Sequence, residues 1–260
     1  MPESGPRVHR YGPGPHRFLE LTLPSGGAPA PVAVVLHGGF WRAAYGIELA
    51  RPLAADLAAA GYAAVAVEYR RVGADGGWPS TAEDVAAALD CLPDLADAGR
   101  LNLADVTVIG HSAGGHLAAW AAGRRRLPVG APGAQPRVLV TAAVLQAGVL
   151  DLTAAARQRL GNGAVQDFLG AVPAQEPERY AVADPVRLLP TGAALLCVHG
   201  AADDVVPVEQ SERYATAAAA AGDDVELTVL PADHMALIDP SSDAWATVRT
   251  WMARRRTLNT

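Results

Sequence analysis

Val106-Thr107-Val108-Ile109-Gly110-His111-Ser112-Ala113-Gly114-Gly115-His116-Leu117-Ala118 is the stretch whose reading decides the fold. A short apolar run reaches a glycine, a polar pair follows, and small and apolar residues then continue at helical spacing. The stretch reads as strand, tight turn and helix, with Ser112 on the turn. Gly110 and Gly114 stand two residues before and two after the serine, and small residues there let strand and helix approach closely. The hydroxyl is then lifted clear at a helix start, where backbone N–H groups and the helix dipole favour developing negative charge.

Outward from this turn, short apolar runs alternate with longer helical patterns. Strands are expected at Phe18 to Leu23, Val32 to Leu36, Ala63 to Glu68, Val106 to Ile109, Val138 to Leu145, Ala194 to Val198 and Val225 to Leu230. Their Val, Leu and Ala density suggests burial on both faces, as in a parallel sheet. Helices are expected at Ile47 to Ala60, Ser80 to Ala96, Ala113 to Gly123, Val208 to Ala221 and Asp243 to Arg255. Ser80 and Glu83 fit a capping box at the start of the second helix. The alternation argues for an α/β fold with a mostly parallel central sheet and helices on both faces. Gly148 to Pro190 breaks the rhythm with turn residues and only short helical patterns such as Ala164 to Leu169, which is where a small cap insertion is expected. Pro128 to Pro136 reads as a surface turn. With no repeat and no linker, residues 1–260 read as one domain.

Composition removes several function classes. All 21 Lys and Arg residues are arginine, so no Schiff-base lysine, pyridoxal phosphate anchor or phosphate-loop lysine exists. A net charge of −6 offers phosphates no basic face, and nucleic acid is not an expected partner. The basic runs Arg124 to Arg126 and Arg254 to Arg256 fit helix C-termini. Cys91 and Cys197 are too few for a disulfide framework or a cysteine zinc site and are expected to be structural. Met1 to Phe18 lacks the apolar core of a signal peptide and no run approaches a membrane span, so a cytoplasmic location is the expectation.

A serine hydroxyl needs a base held by a third group. Beyond the strand Ala194 to Val198 stands His199-Gly200-Ala201-Ala202-Asp203-Asp204-Val205-Val206-Pro207. Beyond Val225 to Leu230 stands Pro231-Ala232-Asp233-His234. Serine, acid and histidine thus follow in order, each past the carboxyl end of a strand, where open sheets build their sites. The acid is Asp203 or Asp204, and the spacing His-Gly-x-x-Asp-x-x-Val-Pro favours Asp203. His37 and His199 are expected to tie loops together, and His111 and His116 have no third partner at metal-ligand spacing, so no metal is expected. His37-Gly38-Gly39-Phe40-Trp41 follows the strand Val32 to Leu36, where glycines let backbone N–H groups of Gly39 and Phe40 turn towards a substrate carbonyl. The N–H of Ala113, after the serine, would join them.

Together His-Gly-Gly-Phe-Trp, Gly-His-Ser-Ala-Gly-Gly-His-Leu-Ala, His-Gly-x-x-Asp-x-x-Val-Pro and Asp-His resemble the α/β-hydrolase branch that includes kynurenine formamidases and small carboxylesterases. The resemblance runs from about Pro31 to His234. It departs from the His-Gly-Gly-Gly of hormone-sensitive-lipase-like enzymes by placing Phe40 at the last glycine. It implies an α/β-hydrolase fold, the triad Ser112, Asp203 and His234, an oxyanion hole at Gly39, Phe40 and Ala113, no cofactor, and a small-molecule acyl substrate. Phe40, Trp41, Trp78, Phe168 and Tyr180 are candidate substrate-lining residues, with core packing as their other reading. Esterase activity on a small carboxylic ester is the leading expectation. Arylformamidase, thioesterase or acyltransferase activity, and a hydrolase-fold ligand receptor, stand as alternatives.

Overall fold

The computed structural model describes residues 5–258. Residues 1–4 and 259–260, the ends of the single-domain reading and of the Met1 to Phe18 segment, lie outside the described residues. The chain runs through β1 (Arg7–Arg10), β2 (Phe18–Thr22), β3 (Ala30–Leu36), α1 (Arg51–Ala59), β4 (Ala63–Glu68), α2 (Ser80–Asp90), β5 (Leu101–His111), α3 (Ala113–Gly123) and β6 (Ala142–Gln146). It then leaves the sheet for α4 (Leu152–Arg157), α5 (Leu160–Leu169) and α6 (Pro177–Ala183). It returns through β7 (Ala194–Gly200), α7 (Glu209–Ala221), β8 (Val225–Leu230) and α8 (Asp243–Leu258).

Among the described residues the strands form one sheet in the order β1-β2-β4-β3-β5-β6-β7-β8. From β4 through β8 every neighbouring pair is parallel, while β2 runs antiparallel to both β4 and β1. This is the mostly parallel central sheet that the alternating pattern predicts. The strand period of two splits β3 between two cores. Val32, Val34 and Leu36 pack with Val85 of α2, Leu117 of α3 and Tyr214 of α7, whereas Ala33 and Val35 pack with Leu57 of α1 and Trp245 of α8.

Several boundaries differ from those expected, each for a local reason. The helix expected over Ser80 to Ala96 stops at Asp90, just ahead of Pro93, which has no N–H to continue the ladder. The Ser80–Glu83 capping box does not form: Ser80 is already helical and no side chain caps the helix. Thr81 secures the entry instead, its Oγ1 accepting from Gly77 N–H (3.0 Å) and donating to the Arg70 carbonyl (2.6 Å). The strand expected from Val138 begins at Ala142, and β8 is a partly exposed edge rather than a strand buried on both faces. Arg124 is more than a helix-end charge. Its side chain is buried and bonds the Gly133 carbonyl (2.7 Å) and Asp90 (2.5 Å), which pins the Pro128 to Pro136 turn to α2. Cys91 and Cys197 are unpaired, and burial pushes their thiols up to about 11 and about 12.

Candidate active site

Ser112 sits between β5 and α3 with φ 56° and ψ −118°, a strained conformation for a non-glycine residue. The strain persists because its surroundings leave no alternative. A Cβ on Gly110 would overlap the Gly114 carbonyl, and one on Gly114 would overlap the Leu36 carbonyl, so β5, α3 and β3 meet here backbone to backbone. The Ser112 N–H bonds the Gln146 carbonyl (2.8 Å), and its own carbonyl accepts from His116 N–H (3.1 Å). Ala113 is the first residue of α3, where an N–H has no intrahelical acceptor.

The acid and the imidazole meet across the ends of β7 and β8. His234 Nδ1 lies 2.6 Å from Asp203 Oδ2. The carboxylate can only accept, so Nδ1–H donates and Nε2 keeps its lone pair. Asp203 Oδ1 accepts from the N–H groups of Val205 (2.9 Å) and Val206 (2.8 Å). Burial by itself raises the Asp203 pKa. Hydrogen bonds from His199, His234 and Val206 outweigh it and hold the carboxyl well below the usual range. Asp204, the other candidate, is exposed, and His234 has chosen its neighbour. His199 ties this loop as expected: Nε2–H donates to the Val206 carbonyl (2.9 Å), 3.4 Å from Asp203, and Nδ1 accepts from Ser211 Oγ (2.7 Å).

Two braces on the histidine loop escape any motif. His111 donates Nε2–H to the His234 carbonyl (2.9 Å), and their rings lie 4.3 Å apart. Burial, then His234 beside it, pushes the His111 pKa down to about 3, so the ring is a neutral donor. Gln146, fully buried and paired with His111 across β5 and β6, donates Nε2–H to the Leu237 carbonyl. Residues adjacent to Ser112 therefore also hold the loop that carries the His234 imidazole. Only the register of two strand ends could have revealed this.

On the other side, Gly38 abuts the serine: a Cβ there would stand 3.2 Å from Ser112 Cβ. Gly39, Phe40 and Trp41 follow with φ of 107°, 51° and 56°, three consecutive left-handed residues. The Trp41 carbonyl accepts from Val72 N–H (2.8 Å) and Arg42 N–H donates to the Gly39 carbonyl (3.0 Å). His37 stacks on Tyr69 at 4.2 Å, and Tyr69 Oη–H donates to the His37 carbonyl (2.6 Å). Beside them the Glu68–Arg71 ion pair is buried, and burial lowers the His37 pKa to about 4.

The five candidate lining residues separate. Phe40 and Trp78 are half-buried, whereas Trp41, Phe168 and Tyr180 are in the core at 0%, 1% and 3% exposure and offer a substrate no surface. Trp41 stacks on Phe168 at 4.7 Å and donates Nε1–H to His116 Nδ1 (3.2 Å), and His116 Nε2–H donates to the Ala183 carbonyl (3.0 Å). Their apolar character serves to fasten the segment between β6 and β7 to the sheet. Among the described residues, no group of three or more His, Cys, Asp or Glu is placed to hold a metal ion, and no helix is long and apolar enough to cross a membrane.

Residues 19–217 match the BD-FAE family. Esterase LipQ of Mycobacterium tuberculosis is 30% identical over 258 residues, covering 93% of this chain and 58% of LipQ, so the chain spans little more than half of that relative. A truncated carbohydrate esterase from gut microbiota superposes with a TM-score of 0.81 at 20% identity, over 98% of this chain and 97% of that one. The esterase Est2 of Thermogutta terrifontis superposes with a TM-score of 0.75 at 25% identity, over 98% and 91%.

Proposed function

The chain belongs to the BD-FAE family of α/β-hydrolases, and from that membership we propose that it is a serine carboxylesterase for small esters, working through Ser112, His234 and Asp203. The observation that carries the reading is the 2.6 Å Asp203–His234 pair, braced by His111 at the strained turn that presents Ser112. His234 Nε2 takes the Ser112 proton as Oγ attacks the ester carbonyl. The developing oxyanion is met by the N–H groups of Gly39, Phe40 and Ala113, each worth ~3 kcal/mol of transition-state stabilisation. His234 returns the proton to the departing alkoxide, leaving an acyl-serine and a free alcohol. Water deprotonated by His234 then attacks the acyl-serine, releases the acid and restores the serine. Asp203 stays ionised throughout and stabilises the imidazolium. The residues between β6 and β7 serve as a cap, and the half-buried Phe40 and Trp78 rings are the aromatic contacts left for a substrate. That LipQ and Est2 are esterases supports an ester as substrate.

The test is kcat/KM for p-nitrophenyl acetate and N-formyl-L-kynurenine, with Ser112→Ala as the blank. The acetate is the expected better substrate, and Ser112→Ala should lose up to ~10⁶-fold in kcat while remaining folded. Preference for the formamide would move the assignment to arylformamidase. Retained turnover in Ser112→Ala would overturn the mechanism.

A further inference from the structure

Three consecutive residues of the oxyanion loop each meet α5. The Phe40 ring occupies the place where a Gly161 side chain would be, with Phe40 Cε1 2.5 Å from the position of a Cβ. Trp41 stacks on Phe168 at 4.7 Å with 14° between the planes. Arg42 pairs with Asp167 at 2.8 Å. The entry to α5 is shaped for this contact. Gly161, Asn162 and Gly163 are all left-handed, with φ of 59°, 57° and 84°, a turn that brings bare backbone against the Phe40 ring. The loop it meets is itself left-handed at Gly39, Phe40 and Trp41. Each of the two non-glycine residues there costs of order 1 kcal/mol or more at φ above +50°, which the contacts with α5 help to offset alongside the Arg42–Gly39 and Val72–Trp41 hydrogen bonds. The Phe168 carbonyl also accepts from Trp78 N–H (2.8 Å), so the same helix end fixes the other half-buried aromatic.

We infer that α5 is a positioning element of the oxyanion hole, with Gly161 and Phe168 as positioning residues that hold the Phe40 N–H in its catalytic direction. The inference rests on the esterase reading, and the inactivity of Ser112→Ala on the same ester establishes that reading separately. The contact makes the segment between β6 and β7 part of the catalytic rate and not only a boundary for substrate. The ion pair of Arg42 with Asp167 is half exposed and contributes little beside the two aromatic contacts.

A double-mutant cycle on p-nitrophenyl acetate tests this, with phenylboronic acid as a probe whose tetrahedral serine adduct places an oxygen in the oxyanion hole. Gly161→Ala drives a methyl into the Phe40 ring. It should lower kcat about 10- to 100-fold, the scale expected for a donor displaced by about an ångström. KM should stay within about twofold, and phenylboronic acid inhibition should weaken by a similar factor to kcat/KM. Gly163→Ala also carries a left-handed penalty, but its Cβ would meet nothing nearer than 3.7 Å, so it should lower kcat several-fold less than Gly161→Ala does. In a Phe40→Ala background, Gly161→Ala should cost less than about twofold, because the ring it strikes is gone. Phe168→Leu keeps apolar bulk without the stack and should also lower kcat about tenfold at unchanged KM. It carries the test if Gly161→Ala does not fold. Equal losses in Gly161→Ala and Gly163→Ala would overturn the inference, as would an undiminished loss in the Phe40→Ala background or an unchanged kcat in Phe168→Leu.

Discussion

The two walls of the site are held by different physics. On the histidine side nearly every fixed point is a hydrogen bond: Asp203 to His234, Val205 and Val206 to Asp203, His111 to the His234 carbonyl, and Gln146 to the Leu237 carbonyl. On the oxyanion side hydrogen bonds to the His37, Gly39 and Trp41 carbonyls are joined by rings and bare backbone: His37 on Tyr69, Trp41 on Phe168, and Phe40 against Gly161. The division follows the chemistry. An imidazole that accepts and returns a proton needs its tautomer set, which takes a directional bond. An oxyanion hole needs several N–H groups aimed at one point, which rigid packing helps to secure without adding a competing acceptor. Hydrogen bonds therefore control what the histidine wall does, and shape adds a second control on the oxyanion wall.

The sharpest probe of the hydrogen-bonded wall is Asp203→Asn, which removes the acceptor that sets the His234 tautomer and should lower kcat by ~10⁴. Asp204→Asn, on an exposed neighbour, should stay within about twofold of wild type. A reversed pair of results would break the comparison at its strongest point.

The packed segment contains one buried carboxyl of its own. Asp184 accepts from Leu152 N–H (2.8 Å), Thr153 N–H (3.1 Å) and Thr153 Oγ1 (3.0 Å), yet burial raises its pKa from an ordinary 3.8 to about 6. The folded protein therefore binds this proton more tightly than the unfolded chain, and its stabilising contribution is lost as pH rises from about 4 through 6. Relative to wild type, Asp184→Asn should gain on the order of 2–3 kcal/mol between pH 4 and pH 7, measured by urea unfolding at both values. A flat difference would mean that hydrogen bonding fully offsets burial there.

His111→Phe keeps a ring beside His234 but leaves the His234 carbonyl buried without its donor. An orphaned acceptor costs about 1–3 kcal/mol. We expect kcat to fall about tenfold or more, with a smaller change in KM. The smallest effect tests the start of α2. Ser80→Ala should change stability by less than about 0.5 kcal/mol by thermal unfolding, because Ser80 caps nothing, whereas a working cap would cost ~1 kcal/mol.

This contrast also explains what could be read from the sequence. Gly110 to Gly114, the Asp203 spacing and His234 were legible because a strained turn and the proposed proton relay demand particular residue types at fixed offsets from strand ends. Asp203 and Asp204 were separable only by the spacing to Val206 and Pro207, and the geometry follows that spacing. His111 and Gln146 had no such marker. Their role depends on β5 and β6 being neighbours in register, a pairing no single segment encodes. The aromatic residues were visible, but their direction was not: Trp41 and Phe168 turn inward because each supplies the other's stacking partner across more than a hundred residues of chain. The Ser80–Glu83 pair misled because Thr81 and the Arg70 carbonyl settle that helix entry first.

The central claim, that Ser112 is the nucleophile and His234 its base, is tested most directly by covalent labelling. Diethyl p-nitrophenyl phosphate should add one diethylphosphoryl group per chain, released p-nitrophenol should match it in stoichiometry, and peptide mapping should place the group on Ser112. His234→Ala should label slower by orders of magnitude, and Ser112→Ala should not label at all. An adduct on another residue, or equal labelling of Ser112→Ala, would contradict the account.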